Sequence, residues 1–263
     1  MATEVKHRAP AVARAIEVLK LLGSSSEPLG VNAIARALDV VPSSCLHILW
    51  ALANEGLVHA DPKTKRYTLG IGLLSLAHAM LGRNHFARLV QPELAGIAHK
   101  YGVTATALEV DDRERMVVVA MAQGSTILKI HVGIGSRFPA YISATGRCVA
   151  AQSGLSDAQL KQRFAALKWQ SPPRFEDWMK DVVAARKNGV AVDAGNYITG
   201  FTVVAAPVTG SQAGPQAGPA EAVRQAVSIV GVSERMSGKT LAMLKSDTKE
   251  AAQRIAADLM GLS

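Results

Sequence analysis

Residues 29–70 read LGVNAIARALDVVPSSCLHILWALANEGLVHADPKTKRYTLG, and the order of signals in this stretch sets the architecture of the first part of the chain. Leu29-Gly30-Val31-Asn32 opens a short amphipathic pattern carrying Ile34, Ala35 and Leu38, and Asp39-Val40-Val41 makes a brief turn. Pro42-Ser43-Ser44 then opens a second apolar helix with Leu46, Ile48, Leu49 and Leu52, closed by Asn54-Glu55-Gly56. Pro42 suits a first helical position, where its missing N–H would be unpaired anyway, and Gly56 suits a C-terminal helix stop. Ile34, Leu38, Ile48, Leu49 and Leu52 are expected to form the core shared by the two helices. The segment from Leu57 onward gives a short strand, the basic turn Asp61-Pro62-Lys63-Thr64-Lys65, and the strand Arg66-Tyr67-Thr68-Leu69. Helix, tight turn, second helix and basic hairpin predict a winged helix-turn-helix.

Such a module reads DNA in two ways. Pro42, Ser43, Ser44 and His47 stand at the entrance and on the face of the second helix, where small hydroxyl groups and free amides approach phosphates or base edges. Lys63, Lys65 and Arg66 in the wing are placed to neutralise phosphates without reading sequence. The second helix has no Lys or Arg, and His47 is its only basic residue.

Composition adds bounds. A length of 263 residues with 49% apolar content suits two modest domains, each able to bury a core. The net charge of +8 divides evenly: the first ninety residues hold ten Lys or Arg against six Asp or Glu, the remainder nineteen against fifteen. Basicity therefore argues for nucleic acid only through its placement in the wing and in Lys6, Arg8 and Arg14. Cys45 and Cys148 lie far apart with no paired spacing, which argues against a disulfide framework, and Cys45 reads as a small packing residue. No apolar run reaches membrane-spanning length and no signal-peptide pattern opens the chain, so a cytoplasmic location and no membrane partner are expected.

Past Gly70 a new helical stripe of Leu73, Leu74, Leu76, Ala77 and Met80 predicts a linker helix within 71–85, broken at Gly82-Arg83-Asn84-His85. Phe86, Leu89, Val90, Leu94 and Ile97 begin a second domain with another helix, stopped by Gly102. The period then changes to that of strands over 104–110, 116–120 and 127–132, with the charged run Asp111-Asp112-Arg113-Glu114-Arg115 as a solvated hairpin tip. A helix begins near Ser143, one or two more fill 157–187 around Pro172-Pro173, and strands recur over 190–192, 202–208 and 222–232. A helix over 240–262 closes the chain. The expected organisation is a DNA-binding domain over 1–70, a linker helix over 71–85 and an α+β domain over 86–263 built on an antiparallel sheet. The tandem Gln-Ala-Gly-Pro repeat at 212–219 reads as a flexible extension without an assigned function.

Taken in order, several segments resemble the IclR-type bacterial transcription regulators. Val12-Ala13-Arg14-Ala15-Ile16-Glu17-Val18-Leu19-Lys20-Leu21-Leu22 is similar to that family's first helix, and Asp61 to Gly70 to its wing. Gly135-Ser136-Arg137-Phe138-Pro139 with Ser143-Ala144-Thr145-Gly146-Arg147 resembles the helix entry of its effector domain. Gly189-Val190-Ala191-Val192-Asp193, Gly200 and Ala205-Ala206-Pro207-Val208 resemble a later signature. The resemblance implies a GAF-like effector-binding domain, an operator of double-stranded DNA as partner, and a homodimer or dimer of dimers. It places the effector at Ser143–Gly146, with Asp193, Phe201, Ser228 and Val230 around it, and Ile127 and Val203 are expected as further apolar neighbours. Read physically, Ser143 would cap a helix and leave the amides of Ala144, Thr145 and Gly146 to accept a carboxylate without a cation, and Gly146 would let backbone approach ligand. Asp193 would accept a hydrogen bond from a ligand hydroxyl. A small organic acid, aromatic for preference, is the expected effector.

Other chemistries find less support. Ser237-Gly238-Lys239-Thr240 ends like a phosphate-binding loop, yet Ser233 replaces its first glycine. The seven histidines offer no ligand-pair spacing, so no metal and no cofactor are expected. The alternative function is a small-molecule enzyme using Ser143 or Cys148 as nucleophile, although no base partner is legible in sequence. A third is an interaction module that binds no DNA.

Overall fold

The computed structural model describes residues 9–125, 132–209 and 224–261, and the chain divides into two compact units, Met1–Arg83 and Asn84–Ser263. Ile127 and most of the strand expected over 127–132, the arm with Lys6 and Arg8, and the repeat at 212–219 lie outside the described residues.

In the first unit, α1 (Pro10–Ser24), β1 (Leu29–Gly30), α2 (Val31–Ala37), α3 (Pro42–Asn54), β2 (Val58–Ala60) and β3 (Arg66–Leu69) follow in the order of a winged helix-turn-helix. Leu29 and Gly30 do not open the helix as expected. They form β1 and pair with Tyr67 and Arg66, so the wing sheet has three strands in the order β1-β3-β2. The turn between α2 and α3 is held by Asp39 at φ 51°, a left-handed backbone that Asp tolerates better than most residues. Val18 and Leu22 from α1, Ile34 from α2, Cys45, Leu49 and Leu52 from α3, and Val58 and Tyr67 from the wing make one core, with Leu38 and Ile48 packed at its edge. Gly56 has φ +67°, and its carbonyl accepts from the amide of Gly72. A Cβ on Gly70 or Gly72 would meet that carbonyl, so the return of the wing depends on small residues at both positions. Helix α4 (Gly72–Arg83) ends the unit.

The second unit begins at Asn84, whose side chain accepts from the amide of Ala87 and caps α5 (His85–Tyr101); Gly102 closes that helix at φ +63°. The strands are β4 (Thr104–Val110), β5 (Arg115–Gln123), β6 (Arg137–Pro139), β7 (Ala191–Ala194), β8 (Phe201–Val208) and β9 (Gln225–Val232). They form one antiparallel sheet in the order β6-β5-β4-β9-β8-β7. Edge strand β6 reads in sequence only as a Gly-rich turn, since three residues are too few to show a period. The remaining helices are α6 (Ser143–Ala151), α7 (Asp157–Ala165), α8 (Phe175–Asn188) and α9 (Gly238–Gly261).

Alternation of strand residues divides the core in two. Ala105, Ala107, Val204, Ala206, Val227 and Ile229 face α5 and α9. Leu108, Met116, Val118 and Ala205 face α6, α7 and α8, where Trp178 is fully buried. The α+β architecture is thus a sheet covered on both faces, and α6 packs over β8 and the edge strand β7, reaching β9.

Candidate functional site

In the first unit the side chains of α3 divide by helical spacing. Cys45, Leu49 and Leu52 are buried, while Pro42, Ser43, His47 and Trp50 are exposed and Ser44 is half-buried. Trp50 is 54% exposed and tilts against His47, ring centroids 5.7 Å apart. Sequence reading passes over Trp50 because an apolar residue in an apolar helix counts as core. Its i+3 spacing from His47 and i+7 from Ser43 is the signal that could have found it.

The wing turn is built on Asp61. Its Oδ1 accepts from the amides of Lys63 at 2.8 Å and Thr64 at 3.2 Å, and these bonds hold its carboxyl below the ordinary value. Lys65 takes φ 55°, its amide donating to the Asp61 carbonyl. Lys63 and Lys65 are exposed at the tip. Arg66 is exposed as well, and its Nη1 donates to the carbonyl of Pro28 at 2.9 Å, tying β3 to the start of β1 while its charge stays at the surface.

In the second unit a cavity of about 530 Å³, its open mouth included, lies over the face of the sheet that carries α6. Register explains its floor: Thr106 pairs with Ser228, and Val203 with Val230. Leu108, Met116 and Phe138 extend the floor, Ile142, Ser143 and Thr145 from the entry of α6 form one wall, and Tyr197 and Ile198 form another. No Asp, Glu, Lys, Arg or His is among the described residues lining it. The Thr106 hydroxyl donates to the Ser228 carbonyl at 3.1 Å. Burial pushes the Tyr197 phenol up, so its hydroxyl remains a donor.

Of the residues expected around an effector, Ser143, Thr145, Val203, Ser228 and Val230 line the cavity, and four others do not. The Gly146 amide is not free: it donates to the Ile142 carbonyl at 2.8 Å. The missing Cβ of Gly146 makes room for the backbone of Tyr141, not for a ligand. Ala144 is fully buried in the core beneath the helix. Phe201 pairs with Val232, two residues beyond the Val203–Val230 pair that lines the cavity, and is not among the lining residues. Asp193 pairs with Val203 in register, but its Oδ1 accepts from the amide of Asn196 at 2.8 Å and its Oδ2 lies 3.6 Å from Nη1 of Arg147. Asp193 is 1% exposed, its Oδ2 has no hydrogen-bond partner among the described residues apart from this ion pair, and it is not among the residues that line the cavity.

Ser143 departs from its expected role as well. The helix N-cap is Ile142, and Ser143 begins the helix with φ 61°. That left-handed backbone costs a side-chain-bearing residue about 1–3 kcal/mol. Its Oγ is buried without a hydrogen-bond partner among the described residues, beside helix-start amides that have no acceptor inside the helix. Arg147, to which the sequence assigns no role, is 1% exposed and supports this turn: Nη1 donates to the Ser143 carbonyl at 3.0 Å. Cys148 is fully buried, its thiol donating to the Ala205 carbonyl at 3.4 Å, and burial pushes its pKa up to about 12. A thiol so placed is no nucleophile. No group of three His, Cys, Asp or Glu able to hold a metal occurs among the described residues.

Comparison with known proteins fits this arrangement. The family described as bacterial transcriptional regulator IclR C-terminal matches residues 78–257, and the IclR helix-turn-helix domain matches residues 11–62. The chain belongs to the IclR family of bacterial transcriptional regulators. Within that family it is 24% identical over 251 residues to the HTH-type transcriptional regulator BhcR of Paracoccus denitrificans, covering 93% of this chain and 85% of the relative. The crystal structure of an IclR transcriptional regulator from Alicyclobacillus acidocaldarius superposes with a TM-score of 0.79 at 27% identity, over 94% of this chain and 98% of that one. An IclR homologue from Microbacterium hydrocarbonoxydans, solved as a complex with 4-hydroxybenzoate, superposes with a TM-score of 0.77 at 16% identity, over 95% and 99% of the two chains. This IclR-family chain is accordingly a transcriptional regulator with a DNA-binding helix-turn-helix, and its relatives bear the names of regulators rather than enzymes. No helix among the described residues is long and apolar enough to cross a membrane.

Proposed function

We propose that this regulator reads double-stranded operator DNA through the exposed face of α3 and the tip of the wing, and that its second domain binds a small, largely apolar organic acid that modulates operator binding. The observation that carries the ligand reading is Ser143: a buried hydroxyl with no hydrogen-bond partner among the described residues, at the first turn of α6, on a residue that lines a cavity whose described lining is mostly apolar and carries no charge. A carboxylate there meets the Ser143 and Thr145 hydroxyls, the amides at the start of α6 and the positive end of its dipole. The ring or branched body of the acid lies on Leu108, Val203 and Val230, where each Å² of apolar surface removed from water adds about 25 cal/mol. A two-carbon acid gains little from that floor. With Asp193 engaged elsewhere, a ligand hydroxyl finds its partners in Thr106 and Tyr197 instead. The 4-hydroxybenzoate complex of the Microbacterium homologue supports an aromatic hydroxy acid as the first compound to try.

The regulator acts as a homodimer or dimer of dimers in the cytoplasm, in keeping with the two half-sites that helix-turn-helix proteins usually bind. Exposed Val12 and Ile16 on α1, and Leu74 and Leu76 on α4, are apolar side chains such an assembly would cover. Calorimetry with benzoate, 4-hydroxybenzoate, acetate and neutral ring isosteres tests the ligand reading, followed by operator binding with and without each. Ring acids should bind, and Ser143→Ala and Thr145→Val should weaken them. Acetate binding as tightly as benzoate, or unchanged affinity in both variants, would refute the site.

A further inference from the structure

Arg147 does not line the cavity, yet each arm of its guanidinium ends on a different element beside it. Nη1 donates to the carbonyl of Ser143, Nη2 to Oδ1 of Asn196 and Nε to Oδ2 of Asp181 on α8, each at 3.0 Å. The Trp169 ring lies 5.9 Å from the guanidinium carbon. Asn196 is followed immediately by Tyr197 and Ile198, which line the cavity as Ser143 and Thr145 do. Asn196 is itself strapped to the chain before α8, its amide side chain donating to the Ser171 carbonyl at 3.2 Å while the Ser171 amide donates to its carbonyl at 3.0 Å. One buried side chain thus joins both walls of the cavity, and one of its three bonds falls on the carbonyl of the residue in the left-handed conformation, Ser143 at φ 61°.

We infer that Arg147 is a positioning residue for the ligand: it holds Ser143 in its left-handed conformation and fixes the Asn196–Ile198 wall at the matching distance. This rests on the ligand reading proposed above. A planar, five-donor fork can serve three acceptors at fixed angles, whereas a lysine ammonium at the end of a flexible stem cannot. Net charge beside Asp193 is preserved by lysine, so Arg147→Lys separates geometry from electrostatics. Glycine adopts positive φ without strain and needs no clamp. The cost of Arg147→Lys should therefore depend on what stands at position 143.

The test uses the full chain and two readouts. In calorimetry with 4-hydroxybenzoate, Arg147→Lys should raise Kd tenfold or more. In a Ser143→Gly background the same change should raise it by a clearly smaller factor relative to Ser143→Gly alone, because only the bond to Asn196 and the wall it fixes are then lost. Hydrogen–deuterium exchange without ligand should quicken together at 143–146 and 196–199 in Arg147→Lys, and at 196–199 in Asn196→Ala, which removes one arm and serves should the lysine variant fail to fold. An equal cost of Arg147→Lys in both backgrounds, or unchanged exchange at both segments, overturns the inference. If the parent binds none of the ring acids while exchange responds as expected, the ligand reading fails and the clamp stands.

Discussion

Cys148 follows Arg147 directly in the buried body of α6, and its pKa of about 12 leaves almost no thiolate near neutrality. Burial raises the Cys45 thiol as well. Iodoacetamide at pH 8 should therefore leave both cysteines unmodified in native protein and alkylate both after denaturation, as read by mass spectrometry. Rapid native alkylation of Cys148 would revive it as a nucleophile. Gly146 gives a second residue-scale expectation. A Cβ there would enter the backbone of Tyr141, so Gly146→Ala should lower stability by about 1–3 kcal/mol or more through overpacking, measured by thermal unfolding. A glycine that touched ligand would instead show reduced affinity with unchanged stability. Neither the buried Arg147 nor the engaged Asp193 was legible from sequence, because one charged residue in a helix and one at a strand end carry no mark of what they meet in space.

At the scale of elements, the wing and α3 should fail differently on DNA. Lys63 and Lys65 are exposed at the tip; replacing both with Ala should weaken all sequences alike and flatten the salt dependence by about 0.9 in log slope for each phosphate no longer neutralised. Arg66→Ala should instead loosen the three-stranded wing, since it removes the Nη1 bond to Pro28. His47→Ala or Trp50→Ala should change preference among operator variants by about 1–3 kcal/mol if a base edge or thymine methyl is touched. Titration of each variant against matched and mismatched duplexes distinguishes these cases; equal weakening throughout would remove the division of labour. The α5–α9 pairing offers a pH test. Lys100, then Tyr101, holds the Asp247 carboxyl below its ordinary value. This depressed pKa makes its contribution full above the unfolded value of about 3.9, and the contribution disappears as pH falls through the lower folded value. Asp247→Asn should flatten acid unfolding in that window.

For the whole molecule, a ligand modulates operator binding only by its differential affinity for the states that bind and do not bind DNA, typically a coupling of about 1–3 kcal/mol. Reciprocity then requires that saturating operator duplex change the Kd of 4-hydroxybenzoate by the same factor that the acid changes the operator Kd. Two titrations check this, and unequal factors would show that acid and duplex do not share one linked equilibrium. Light scattering should find an assembly larger than one chain at micromolar concentration, and half-site centres in the operator should lie about one helical turn, or a multiple, apart.

Elements with local signals were legible in the chain before any packing was known. Pro42 and Gly56 bound α3, the break at Asn84 and Gly102 bound α5, and short runs rich in Val, Ala and Thr mark β4, β5 and β8. Each depends on neighbours within a turn of helix or a few strand residues, so local sequence suffices. The two-residue β1 and three-residue β6 escaped, being too short to hold a period and formed only because β3 and β5 offered edges. The cavity, by contrast, exists only through tertiary packing. Thr106, Phe138, Tyr197 and Val230 come from four separate segments, brought together by strand register and by the loop after β7. Packing likewise assigned Asp193 to Arg147 rather than to a ligand, because a buried charge is stable only beside the partner that the fold delivers to it.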